Sequence, residues 1–351
     1  MYTECVGIGI ATTMQPNAES LLFMNTFGEC SGLLRATTSD FTGSYPYMRY
    51  VHGYQLFLKP LYTFFSIENV RLLTFCITSA LLLLLLGVLK QSLNFSYALA
   101  IVLTFFVTQS ANVFLIVTHA AQFWVVLGGA ALAVLLRHRL PPLVLFGLLG
   151  AVDALCSFLN MGSLSLGLPL LCYSLSLWSD GRTSTDIIAA IFWGSVGWAV
   201  AFVLPWLLKW SLLEIFYQPS REQLFGVTLE KYPNRSFSMI FLAFYRNVIH
   251  LHWLLGLVLY ALLFKRWRKL RPTTPAGLWP ALLPALIPIV WIGILPGQSG
   301  IKHASFINLI LWPGIAATVL MLLALPRPRT QLETQHVSNC NHSTCATSER
   351  T

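Results

Sequence analysis

The chain has 351 residues, of which 56% are hydrophobic and only 10% charged, against roughly 25% charged in a soluble domain. Such a chain cannot cover itself with polar surface, so over most of its area the expected solvent is lipid. A net charge of +9 raises nucleic acid as a partner, but the basic residues cluster at the ends of apolar runs, as topogenic anchors do, and no basic face accompanies them, so nucleic acid is excluded.

In chain order, residues 1–70 come first as a mixed segment with no apolar run long enough to span a membrane and no signal peptide. The chain is therefore expected either to lack an N-terminal first helix or to insert its first span with the N-terminus outward. Cys5 and Cys30 lie here, and a disulfide between them is an option in an oxidising compartment.

Nine spans are predicted, with an error of about one, at residues 72–89, 95–118, 120–136, 143–159, 164–178, 187–208, 248–264, 278–295 and 306–325. Each approaches the ~20 residues that cross ~30 Å of hydrocarbon. The fold class is thus all-α, a polytopic transmembrane bundle over 71–325, followed by a tail at 326–351 whose Ser, Thr, Asn and Gln content predicts disorder.

Arg137, His138 and Arg139 after the third span, the basic run 265–271 after the seventh, and Arg327 with Arg329 after the ninth are separated by even numbers of spans. One orientation puts all three inside, with Lys90 and Arg182 agreeing more weakly. The C-terminus is then cytoplasmic, and the N-terminal segment and an outer loop near 209–247 lie outside.

Chemistry is expected on those outer segments. The stretch SYPYMRYVHGYQLFLKPLYTFFS (44–66) joins Arg49, His52 and Lys59 to a run of tyrosines and phenylalanines. It suits an interfacial helix whose tyrosines sit at headgroup level while its cations meet lipid phosphate or a phosphorylated substrate; the plainer alternative is an aromatic belt with snorkelling cations. Arg246 enters the seventh span from the same side, and PGQSGIKHASFIN (296–308) brings Lys302 and His303 there before the last span. Together these cations suit a basic cavity for a phosphate diester or diphosphate headgroup. Among the few outer carboxylates, Asp40 lies shortly before Arg49 and His52.

Asp153 differs, because it falls inside the fourth span, where an ionised carboxylate costs about 2.5 to 3.5 kcal/mol on insertion scales. It is expected to face the bundle interior, paired or protonated, with a functional role and a structural hydrogen bond equally open. No metal site is expected: His250 and His252 are two apart and diverge by about 200° on a helix. No nucleotide-binding glycine pattern or serine-hydrolase elbow appears, and no cofactor is expected.

The phrases YMRYVHGYQLFLKPL (47–61), GAVDALCSFLNMGSLSLGLPLL (150–171), GWAVAFVLPWLLKW (197–210) and IKHASFINL (301–309) resemble a group of functionally uncharacterised bacterial multi-spanning proteins. That group is similar in layout to the C-type glycosyltransferase superfamily, whose members take a sugar from a polyprenyl phosphate or diphosphate donor at the outer face with a carboxylate in the first outer loop as base. The resemblance covers most of 45–325. It implies Asp40 as catalytic base, with Arg49, His52, Lys59, Arg246, Lys302 and His303 holding the donor, membrane lipid and a polyprenyl-linked sugar as partners, and residence in a bacterial inner membrane. The superfamily has a helix before its first outer loop that this chain lacks, and the bacterial group has a further His and an Arg where this chain has Ser299 and Leu309. The alternatives are a transporter or lipid flippase working through Asp153 near the midplane, and a noncatalytic divergent relative.

Overall fold

A computed structural model of the chain describes residues 25–26, 45–46, 51, 53–93, 95–108, 117–156, 162–217, 278–294 and 311–324, with positions 238, 240–242 and 245. Among these the architecture is helical. The exception is a two-residue antiparallel pairing of Asn25–Thr26 (β1) with Tyr45–Pro46 (β2), in which Thr26 faces Tyr45.

The first helix, α1 (Gln55–Phe64), leads into α2 (Ile67–Ser92). Ser66 starts α2 by accepting a hydrogen bond from the Asn69 backbone N–H at 3.4 Å; Glu68 in the first turn and Lys90 in the last complement the helix dipole. Then follow α3 (Phe95–Val107), α4 (Val117–Leu135), α5 (Pro142–Cys156), α6 (Gly162–Ser179) and α7 (Ser184–Tyr217). Beyond them lie α8 (Leu278–Ala281), a 3-10 turn (Leu283–Leu286), α9 (Ile287–Ile294) and α10 (Trp312–Ala324).

The centre of the bundle is α6, buried from Gly162 to Leu177 and packed by α4, α5, α7, α8, α9 and α10. α2 packs on α4, joined by a hydrogen bond from Trp124 Nε1 to Thr78 Oγ1 at 3.1 Å. The tightest pairing is α5 with α7, where glycines let backbone meet backbone. A Cβ on Gly150 would lie 2.9 Å from Trp198 Cα, and one on Gly197 would lie 3.1 Å from Leu143 Cα. Trp312 ties α10 to α3: its indole donates to the Ile101 carbonyl at 2.8 Å and to Thr104 Oγ1 at 2.9 Å, and its ring meets Phe105 edge-on.

Polarity is distributed as lipid would require. Ser, Thr and Ala are prominent in the interior, while Leu72, Leu83, Phe192, Val200, Leu204 and Leu208 stand on the outer surface of α2 and α7. These two helices are long and apolar enough to cross a membrane. The other predicted spans are met less directly. Segments 95–118 and 143–159 appear as the shorter apolar helices α3 and α5, and 306–325 is described as helix over α10. The span at 248–264 lies outside the described residues.

The predicted span at 278–295 is not one helix. Pro280, Pro284 and Pro288 recur at four-residue spacing, each removing a backbone donor, and the segment divides into α8, a 3-10 turn and α9. The carbonyl of Ala281 is met from the neighbouring helix, by Ser174 Oγ of α6 at 2.7 Å.

Candidate functional site

The turns at the two ends of the bundle differ. At one end, Arg137 Nε and Nη2 bind the two Asp180 carboxylate oxygens at 2.7 and 3.1 Å, and His138 Nε2 lies 3.2 Å from Oδ2. This clamp joins the α4–α5 turn to the α6–α7 turn. The hydrogen bonds from Arg137, ahead of the charges of Arg137, His138 and Arg182, outweigh partial burial and hold the Asp180 carboxyl below the usual carboxylate range. Tyr97 stacks on Trp178 with ring centroids 6.4 Å apart, bringing the α2–α3 turn with Lys90 to the same end. Lys90, Arg137, Arg139 and Arg182 thus share one basic end.

Asp153 lies toward the opposite end. It is ~16 Å along α5 from Pro142, and α5 itself is ~22 Å long, so the carboxylate sits about three quarters of the way up rather than at mid-height. It is fully buried. Ser165 Oγ of α6 donates to Oδ2 at 2.5 Å and Gln122 Nε2 of α4 to Oδ1 at 3.4 Å, so three helices converge on one acid group. Ser165 Oγ is also 2.8 Å from the Gly162 carbonyl. Pro169, four residues on, removes the backbone donor that the Ser165 carbonyl would otherwise meet. Buried His119 stands one turn before Gln122 on α4.

The same end carries a column of aromatic rings along α7. Trp198 stacks on Phe202 with centroids 4.4 Å apart, Phe202 continues to Trp206 at 6.3 Å, and Trp206 to Trp210 at 5.9 Å. The spacing of four residues places all four rings on one helix face. Trp291 of α9 meets Trp198 and Phe202 edge-on at 6.3 and 6.4 Å. Gly162 makes room for this junction, since a Cβ there would lie 2.9 Å from Trp291 Cη2 and 3.3 Å from Trp198 Cη2. The indole nitrogens of Trp198 and Trp291 and the hydroxyl of Ser163 are buried without a hydrogen-bond partner among the described residues. Leaving a buried donor unpaired costs about 1–3 kcal/mol. Lys209 is buried on α7 one turn beyond Trp206.

Of the residues expected from sequence, Lys59 is part-exposed on α1, and α1 is seated at this opposite end. Tyr54, Gln55 and Leu58 are buried, and Gly53 abuts α5 so closely that a Cβ would lie 2.7 Å from the Leu155 carbonyl oxygen. Leu155 follows Asp153 by two residues. Asp40, Arg49, His52, Arg246, Lys302 and His303 lie outside the described residues.

Sequence reasoning did not single out Gln122, Ser165, Trp198, Trp291 or Lys209. The polar residues at 119 and 122, three apart at the head of an apolar run, were one available signal. The four-residue aromatic period of α7 was another. No group of three or more His, Cys, Asp or Glu residues suited to a metal occurs among the described residues.

Comparisons of the chain with protein-family models, with curated proteins and with solved structures give no match.

Proposed function

We propose that the protein is an integral membrane enzyme of glycosyltransferase type that acts on a polyprenyl-linked sugar at the membrane face opposite its basic turns. The observation that carries this reading is the seating of Gly53 against the Leu155 carbonyl. It attaches α1, which carries Lys59, to the end of the bundle that holds Asp153, away from Arg137 and Arg182. With the basic end cytoplasmic, that site faces outward, where a lipid-linked donor presents its headgroup.

In this reading Asp40 is the base that activates the acceptor, and Arg49, His52, Lys59, Arg246, Lys302 and His303 neutralise the donor phosphate. The basic end and the tail are cytoplasmic, the N-terminal segment lies outside, and a bacterial inner membrane is the setting. In this reading the chain crosses the membrane about nine times.

The test uses the full chain, purified and returned to lipid vesicles with radiolabelled polyprenyl phosphate and diphosphate sugars. Transfer or release of sugar by the wild type, lost in Asp40→Asn, is expected. A folded wild type that turns over no member of the panel removes the reading.

A second reading, a transporter or lipid flippase, is favoured by the complete burial of Asp153 between three helices. It predicts that Asp153→Asn, not Asp40→Asn, abolishes substrate movement across sealed vesicles, with no sugar–phosphate bond broken. A noncatalytic relative would show neither effect.

A further inference from the structure

We infer that Asp153 is a proton-binding site: at neutral pH its carboxyl is held as the neutral acid, with the proton on Oδ2 directed at Ser165 Oγ and the Ser165 hydroxyl directed in turn at the Gly162 carbonyl. Neither reaction proposed above is needed for it.

The hydrogens around Asp153 are too few for a carboxylate. Its two oxygens offer about four acceptor positions when ionised, and among the described residues two donors reach them, Ser165 Oγ at 2.5 Å and Gln122 Nε2 at a long 3.4 Å. The first of these is shared. Ser165 has one hydroxyl hydrogen, and its oxygen also lies 2.8 Å from the Gly162 carbonyl, which can only accept. Around an ionised Asp153 a single hydrogen therefore serves two acceptors. A proton on Oδ2 removes the conflict: the acid donates to Ser165 Oγ, Ser165 donates to Gly162, and Oδ1 accepts from Gln122, so that each contact has its own hydrogen.

A shared hydroxyl alone is tolerated where both acceptors are neutral, as at Ser174, which lies between the Leu171 and Ala281 carbonyls. At Asp153 the second acceptor would be a charge. The residue is fully buried, and neither described ion pair includes it. The titratable groups on the helices packed around it are His119, one turn before Gln122 on α4; Cys156, one turn beyond Asp153 on α5; Cys172 and Tyr173, two turns beyond Ser165 on α6; Lys209, beyond Trp206 on α7; and Tyr54 on α1. Asp186 and Glu214 of α7 are exposed, and Lys59 of α1 is part-exposed. None of these makes a described hydrogen bond or ion pair with Asp153; its described partners are Ser165 and Gln122. A buried carboxyl with no cation beside it is relieved by taking up a proton.

One proton thereby completes a junction of three helices, α4 through Gln122, α5 through Asp153 and α6 through Ser165. It is the ion that the transporter reading would carry and that the transferase reading would leave in place.

The experiment is infrared difference spectroscopy on the full chain at neutral pH, in a detergent without carbonyl groups, with the aspartates carrying a heavy-carbon carboxyl label. Wild type minus Asp153→Asn should show the carbonyl stretch of a protonated carboxylic acid. Ser165→Ala should keep that band and move it to higher frequency, because the acid loses the oxygen to which it donates. Thermal unfolding checks the fold of each variant. If Asp153→Asn fails to fold, the band that moves in Ser165→Ala identifies the acid, since no other aspartate meets Ser165 among the described residues.

A difference spectrum with an ionised carboxylate stretch and no acid band overturns the site, as does a labelled wild type with no acid band at all, whether or not either variant folds. An acid band that Ser165→Ala leaves unmoved overturns it as well, because the proton is then not directed at Ser165. Sugar transfer lost in Asp40→Asn together with an ionised Asp153 keeps the transferase and removes the proton site; a neutral Asp153 in a chain that neither transfers nor transports does the reverse.

Discussion

Placing a methyl group at Gly150 should separate α5 from α7. A Cβ there falls against the Trp198 carbonyl and lies 2.9 Å from its Cα. Both obstacles are main chain, so no rotamer change relieves the clash and the helices themselves must move apart. Overpacking of a core typically costs 1–3 kcal/mol, and a backbone-to-backbone seam belongs at the upper end, about 3 kcal/mol, or roughly a hundredfold in the folded to unfolded ratio. The control is Gly128→Ala on α4, where an added Cβ meets nothing within 4 Å; there the better helix propensity of alanine should stabilise by up to about 1 kcal/mol. Reversible unfolding by denaturing detergent in mixed micelles reads both variants against wild type. If Gly150→Ala and Gly128→Ala unfold at the same detergent fraction, the seam is not as close as described and the reasoning fails.

Three further outcomes are expected. Trp312→Phe keeps the edge contact with Phe105 but removes the donor to Ile101 and Thr104, and should cost about 1–2 kcal/mol in the same unfolding assay; no change would show that the indole N–H does not tie α10 to α3. Asp180→Asn breaks a two-point ion pair that is partly exposed, worth about 1 kcal/mol or less at neutral pH. Because Arg137 lowers the folded-state pKa of Asp180, that contribution is present above the ordinary aspartate range and is lost as the pH falls through the depressed folded value; the difference in unfolding midpoint between wild type and variant should therefore shrink toward strongly acid pH, and a difference constant with pH would refute the assignment. Asp153→Asn keeps one acceptor oxygen for Ser165 and gives Gln122 an amide donor that its own side-chain oxygen accepts once the Gln122 amide turns over, and should leave the fold intact; Asp153→Leu leaves Ser165 the Gly162 carbonyl but takes away the acceptor that Gln122 Nε2 meets, and should cost about 1–3 kcal/mol in unfolding experiments; equal stability of the two would mean the hydrogen bond from Gln122 contributes nothing.

The helices were largely legible because apolar runs and basic punctuation are properties of the chain alone: the turns at Arg137 and Arg182 fall where those signals put them. The division of 278–295 into three pieces was visible only as three prolines, since whether proline bends or breaks a helix depends on its surroundings: here the Ala285 N–H turns to the Leu282 carbonyl, and the Ala281 carbonyl it leaves is met by Ser174 of another helix. Asp153 stood out by its charge in lipid, but its partners did not. Gln122 and Ser165 are 31 and 12 residues away in sequence, and no periodicity connects residues on three helices. The aromatic column on α7 had a readable period; its meeting with Trp291 across 93 residues of chain required the fold.

The Arg137–Asp180 clamp also sets where this bundle is held by charge and where by packing. It fastens two successive hairpins, α4–α5 and α6–α7, at their turns, and the glycine seam of α5 on α7 and the hydrogen bond from Ser165 to Asp153 tie the same two hairpins farther along. Because these ties lie at successive depths along the ~27 Å of α6, losing the clamp at acid pH frees the turns while the hairpins stay joined above them.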